Sequence, residues 1–304
     1  MAKLYDIVVV GGGPSGLTAA LYGLRNGKSV LTIEKSVFGG QIVNSPKVEN
    51  IPGFNSISGD DFGDLMLKQV QGQGGEVMFD TVLSVDSDGK NAIVHTELSG
   101  DIYTRTVVLA TGTVHRTLGL QNEENLLGKS IHFCAVCDGN FYQGKKVIMI
   151  GGGNSAFVEA ILLADIVEKL VMLQDMPVFT ADQKSQDVLF SKTNVEKHVN
   201  TKILEYVVED EKLIGVKYLE NGEEKFETCD GVFLAVGLIP ENDNFKDLVE
   251  LDERGYFKAD ESTKTRVSNV FVAGDARSKT LRQVATACSD GAQAAIAACN
   301  FLRG

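Results

Sequence analysis

Residues 8–34 read VVVGGGPSGLTAALYGLRNGKSVLTIE, and residues 148–174 read IMIGGGNSAFVEAILLADIVEKLVMLQ. The two segments align without a gap at an offset of 140. Each runs from an apolar strand through a glycine turn into a helix rich in small residues, then into a second apolar strand. That is a βαβ unit, written twice. Two such units so far apart in one chain predict an α/β fold of two doubly wound, Rossmann-like dinucleotide-binding domains.

Further segments set the borders. VVLATGTVHR (107–116) reads as a strand that ends at a small-residue turn and leads into a crossover, and GVFLAVGLIPENDNF (231–245) reads as its counterpart. NVFVAGDARS (269–278) is another strand, and an alanine-rich helix over 283–302 follows it. The expected arrangement is a first domain made of 1–115 and 244–304, with a second domain, 116–243, inserted into it.

The first unit carries Gly11-x-Gly13-x-x-Gly16 between strand and helix, with Pro14 and Ser15 inside the turn. The first glycine allows the turn, the second admits a pyrophosphate to the backbone, and the third lets helix and strand pack closely. The helix N-terminus offers free N–H groups to the phosphates. Glu34 ends the second strand, where an acid can accept hydrogen bonds from ribose hydroxyls. Near the far end, Gly274-Asp275 places a carboxylate on a strand-end turn, suited to the polyol chain of a flavin.

Composition excludes several classes. A net charge of −12 argues against nucleic acid or an anionic membrane as the main partner. No stretch of some 18 apolar residues could span a bilayer. MAKLYDIVVV enters a strand at once rather than a cleavable signal, so a cytoplasmic protein is expected. The odd set Cys134, Cys137, Cys229, Cys288 and Cys299 is unlike a secreted disulfide scaffold.

Cys134-Ala-Val-Cys137-Asp138-Gly139 is the sharpest chemical signal. Two thiols at this spacing suit a redox disulfide or half a zinc site. The other cysteines stand alone and His95, His115, His132 and His198 form no metal-binding pair, so no metal is expected. Asp138 beside the pair can deliver or remove the proton that thiol–disulfide exchange requires. A flavin is the natural two-electron partner of such a pair.

With these residues assembled, the chain resembles the low-molecular-weight thioredoxin reductases along nearly its whole length. The motifs are GGGPSG (11–16), GGQ (39–41), VENIPG (48–53), ATG (110–112), CAVCDG (134–139), GGGNSA (151–156), AVGLIP (235–240), GD (274–275) and RQV (282–284). The resemblance implies that FAD lies among Gly11, Gly13, Pro14, Ser15, Gly16, Glu34, Gly40, Gln41, Asn50, Thr111, Gly112, Gly274, Asp275, Arg282, Gln283 and Val284. It implies Cys134 and Cys137 as the redox pair, Asp138 as their acid, thioredoxin or a similar redoxin as substrate, and a homodimer whose inserted domain rotates.

The second unit departs from that pattern. Gly151, Gly153 and Ala156 keep the turn, but the HRRxxxR stretch that holds the 2′-phosphate of NADPH reads Gln174-Asp175-Met176-Pro177-Val178-Phe179-Thr180. Each lost charge-assisted contact weakens binding by about 1.5–3 kcal/mol. Gln174 replaces the acid an NADH site uses, although Asp175 is one residue away and the stretch is similar to that of NADH-using alkyl hydroperoxide reductase flavoproteins. In what it lacks, the chain resembles ferredoxin-dependent flavin thioredoxin reductases. The segment from Arg277 through Lys279 to Arg282 reads as a basic patch for acidic ferredoxin. A non-catalytic flavin redox sensor is the competing class.

Overall fold

The computed structural model describes residues 3–45 and 48–304. Contacts divide it into two compact units, Met1–Val114 with Ile239–Gly304, and His115–Leu238. The chain therefore re-enters the first unit at Ile239, not at residue 244. Asn242 explains the shift: it is buried, donates to the carbonyls of Gly255 (3.0 Å) and Ala276 (3.1 Å), and accepts from Thr111 Oγ1 at 2.8 Å.

In the first unit, strand Leu4–Val10 lies at the centre of a mixed sheet, parallel to Val30–Glu34 on one side and to Asp101–Leu109 on the other. Glu76–Phe79 extends the sheet beyond Val30–Glu34, and Val270–Val272 pairs with Asp101–Leu109. Ala92–Thr96 and Val82–Ser87 continue it antiparallel. The central strand is buried on both faces, and its side chains alternate between two cores. Ile7 and Val9 pack with Leu17 and Ala20 of helix Pro14–Arg25 and Ala294 and Ala298 of helix Val284–Phe301, whereas Val8 and Val10 pack with Phe245, Val249 and Phe257.

The second unit repeats this logic with fewer strands. Its parallel sheet runs Val195–His198, Lys169–Leu173, Lys146–Ile150, Gly231–Leu234, Ile131–His132. Val147 and Met149 face helix Asn154–Ala164, while Ile148 and Ile150 face Tyr206, Val216 and Tyr218 of a three-stranded antiparallel sheet. Among the described residues, no helix is long and apolar enough to cross a membrane.

Candidate active site

In the first unit the glycine turn is built by close backbone contact. Gly11 sits at φ +105° against the Ala110 carbonyl, and a Cβ at Gly16 would collide with Gly11 O. Gly13 caps the helix without a side chain, Pro14 takes its first position, and the nearest neighbours of Gly13 are the backbone of Gly39 and Gly40. Glu34 is buried. Its Oε2 accepts from Gly12 N at 2.6 Å and its Oε1 from Ser36 N at 2.9 Å, so the carboxylate braces the turn.

Gly274 lies against the side chain of Ser15, which brings the two ends of the unit together. Ser15 Oγ and Asp275 Oδ1 are both buried without a hydrogen-bond partner among the described residues. A polyhydroxylated, phosphate-bearing ligand satisfies such orphaned groups, and an FAD seated on this turn fits the residues present. Burial pushes the Asp275 carboxyl up from its usual range, against the opposing pull of Lys279 and Arg282. Asn50 donates to Gln283 at 3.0 Å, and Gln283 caps the helix that begins at Val284. Gln41 lies in a short helix from Gly40 to Asn44, and Gly112 takes φ +70° with open space around it.

The basic segment 277–282 is not an exposed patch. Arg277 is buried and donates to both oxygens of buried Asp290 (3.2 and 3.1 Å) and to Glu261 at 2.9 Å. Lys279 donates to the same Asp290 at 3.0 Å, and Arg282 lies over the Tyr256 ring at 4.2 Å. Asp290 also accepts from Gly274 N at 3.1 Å, so these cations brace the loop that carries Asp275. A charge needs neutralising where it is buried, and Asp290, thirteen residues from Arg277, does so here.

In the second unit Gly151 closes on the Ala235 carbonyl at φ +128°, Gly153 caps its helix, and Ala156 is fully buried where the first unit has Gly16. Gln174 is buried beneath Gly152 as Glu34 is beneath Gly12, with Phe179 beside it. Its amide turns to the carbonyl of Val178 at 3.4 Å. Asp175, Met176 and Val178 are exposed. The surface that a basic clamp would occupy is therefore apolar and acidic.

Cys134 and Cys137 are joined in a disulfide, with Cα atoms 5.3 Å apart. Cys134 caps the short helix Ala135–Asp138, and its Sγ accepts from Cys137 N at 3.2 Å. Both cysteines are half-buried and Val136 between them is exposed. Behind them lies a network that sequence reasoning missed. Asp138 is buried, with Oδ2 3.2 Å from His132 Nδ1, and His132 Nε2 is 2.9 Å from the Tyr142 hydroxyl. Burial, followed by the charge of Asp138, raises Tyr142 above the usual phenol range, and its hydroxyl also lies 3.5 Å from the Lys129 carbonyl, to which it can donate. The other carboxylate oxygen, Oδ1, is buried and unpartnered among the described residues.

Glu159, from helix Asn154–Ala164, accepts from the amide of Ala135 between the two cysteines. Burial pushes its carboxyl up, opposed by the amides of Ala135 and Val136, while Asp138 adds to the rise. Of the remaining thiols, burial pushes Cys229 up to about 12 and raises Cys288 and Cys299, which makes them poor nucleophiles.

A model of the pyridine nucleotide-disulphide oxidoreductase family matches residues 5–291. The thioredoxin reductase of Listeria monocytogenes is 39% identical over 95% of this chain and 91% of its own. The chain belongs to the thioredoxin reductase family. That family comprises FAD-binding thioredoxin-disulfide reductases, and its redox-active CxxC disulfide is the Cys134–Cys137 pair. The structure of thioredoxin reductase from Streptococcus pyogenes superposes with a TM-score of 0.91 at 32% identity, covering 100% of this chain and 99% of that one. A 34.2 kDa protein in the rubredoxin operon of Clostridium pasteurianum is 38% identical over 99% of this reductase and 98% of its own length.

Proposed function

We propose that this reductase carries electrons from FAD through Cys134 and Cys137 to the disulfide of thioredoxin or a similar redoxin, and that it receives them from reduced ferredoxin rather than from NADPH. FAD, when bound, accepts electrons from the donor and yields two to the protein disulfide. The Gly11–Gly16 turn and the amino end of helix Pro14–Arg25 would hold its pyrophosphate, and Ser15 Oγ and Asp275 Oδ1 would supply buried polar atoms that make no hydrogen bond among the described residues. Once reduced, Cys134 attacks the redoxin disulfide as a thiolate. Cys137 then displaces the reduced redoxin and closes the Cys134–Cys137 bond. Asp138, beside His132, relays to the leaving thiolate the proton that Cys137 gives up as it attacks.

The observation that carries the donor assignment is the second crevice. Gln174 is buried with its amide engaged, and the residues after it are an acid and exposed apolar side chains. Nothing there offsets the cost of desolvating a 2′-phosphate. The name of the Clostridium pasteurianum relative places that protein in a rubredoxin operon, and rubredoxin, like ferredoxin, is a one-electron iron carrier. The homodimer rests on the family resemblance and is checked by light scattering.

The donor is tested anaerobically by following the flavin absorbance after adding NADPH, NADH, or ferredoxin held reduced by an independent source. Ferredoxin should bleach the flavin within seconds, and millimolar NADPH only over many minutes. Exposed Asp175 supports a second reading, a ribose ligand for NADH, which fast bleaching by micromolar NADH would favour. Saturable, fast reduction by NADPH would overturn both.

A further inference from the structure

We infer that Glu159 is a positioning residue of the redox pair, whose carboxylate occupies the backbone amide of Ala135 between Cys134 and Cys137 and so keeps the disulfide strongly reducing. A cysteine at the start of a helical turn is ordinarily made acidic by the free N–H groups of that turn. The Asp138 amide bonds to the carbonyl of Cys134 at 3.0 Å. The Cys137 amide contacts Cys134 Sγ at 3.2 Å. The Ala135 amide donates to Glu159 Oε2. A donor that would stabilise a Cys134 thiolate is thus taken by an anion, which places a negative charge on the amide next to Cys134.

The surrounding packing fixes this arrangement. Ala135 belongs to the same buried cluster as Ala156, Ala160 and Leu163 of helix Asn154–Ala164. Gly139 follows the redox turn at a close approach to Leu163 and Ile166, where a Cβ would meet them at 3.3 and 3.4 Å. The helix of the second βαβ unit is therefore the bed on which the redox turn lies, with Glu159 at their contact. This gives the unit a task that does not depend on any bound nucleotide, nor on which donor reduces the flavin.

A disulfide whose reduced form is stabilised as a thiolate is a strong oxidant, and withholding that stabilisation makes the pair more reducing. Glu159→Gln removes the charge and keeps an oxygen that can accept from Ala135. Glu159→Ala removes both. The measurement equilibrates the FAD-loaded protein with dithiothreitol and its cyclic disulfide at pH 8. Two electrons and two protons pass from dithiothreitol, which closes to its ring, to the Cys134–Cys137 bond, which opens to two thiols. Acid quench, alkylation and mass mapping then give the reduced fraction at Cys134.

Glu159→Gln should shift the equilibrium towards the dithiol by about tenfold, equivalent to ~30 mV for two electrons. A shift under twofold would overturn the electrostatic role and leave Glu159 as a hydrogen-bond acceptor only. If neither variant folds with its flavin, the reduced wild-type protein decides the matter: Cys134 should react with iodoacetamide at pH 7 no faster than dithiothreitol does. A rate tenfold above dithiothreitol would show an activated thiolate and overturn the proposal.

Discussion

His132 is two residues from Cys134 and invisible as a functional residue in the sequence, since a lone histidine in a short strand carries no pattern. Folding gives it two partners: Nε2 lies 2.9 Å from the Tyr142 hydroxyl and Nδ1 3.2 Å from Asp138 Oδ2. His132→Leu removes the imidazole that lies 3.2 Å from Asp138 Oδ2 and leaves a buried acid without that polar contact among the described residues. The expected cost is on the order of 1–3 kcal/mol of stability, together with at least a tenfold loss of thioredoxin turnover at full FAD content. His132→Asn offers an amide N–H near the place of Nδ1 and should recover most of both. Thermal melts and steady-state assays of the two variants check this, and equal turnover in the leucine variant would count against a role for the pair. Cys137→Ser cuts the electron path itself, so its thioredoxin turnover should fall to background while the flavin remains reducible by its donor. Asp290 shows the same lesson on the other unit. It is one acid in an alanine-rich helix by sequence, yet it neutralises Arg277 and Lys279 together. Asp290→Ala should cost about 3–5 kcal/mol, because Arg277 and Lys279 lose their shared buried anion and keep only Glu261 and Asp275. Partial loss of FAD should follow, since the Asp275 loop is no longer held.

At the scale of elements, the two glycine turns differ at their third position. Gly16 touches the backbone of Gly11, whereas the second unit accommodates Ala156 in the corresponding place. Gly16→Ala should push helix Pro14–Arg25 off its strand at a cost of about 1–3 kcal/mol, the usual range for overpacking. It should also release FAD, measured as the flavin-to-protein absorbance ratio of the purified variant. The end of strand Thr113–His115 supplies a pH-dependent element. Burial lowers the His115 pKa from 6.5 to about 4, and its ring stacks on Phe133 at 4.1 Å. A histidine whose folded pKa is depressed stabilises the protein above its unfolded value. That contribution is lost as pH falls from 6.5 towards 4, up to about 3 kcal/mol in all. His115→Phe preserves the stack and does not titrate, so its stability should fall less than wild type over that window. Parallel melting curves in acid would detect no such difference if His115 ionised freely.

For the whole molecule, the consequence of two compact units is that ligands act on one of them. All the residues assigned to FAD lie in Met1–Val114 with Ile239–Gly304. Free FAD at 100 times its dissociation constant should stabilise that unit by about 2.7 kcal/mol and leave His115–Leu238 unchanged. Calorimetry of the flavin-free protein with and without FAD should move one transition and not the other. A shift of both by the same amount would mean that the units unfold together.

The sequence alone determined the architecture, because a βαβ unit is a local pattern: the periodicity of a buried strand, a glycine turn and a small-residue helix all fall within 27 consecutive residues, twice. The CxxC pair and its neighbouring acid were legible for the same reason, being contiguous. What surrounds them was not. Glu159 reaches the redox turn from 24 residues away, Tyr206 lies 83 residues from the Glu123 it bonds, and Asn242 joins Thr111 across 131. The segment from Arg277 to Arg282 reads as a basic surface because charge in a sequence carries no direction, and only the packing of helix Val284–Phe301 turned Arg277 and Lys279 inward onto Asp290. Chemistry set by spacing along the chain could be read directly. Chemistry set by burial and by partners from distant segments was decided by the tertiary structure, since desolvation, and with it the need for a partner, exists only once the chain has folded.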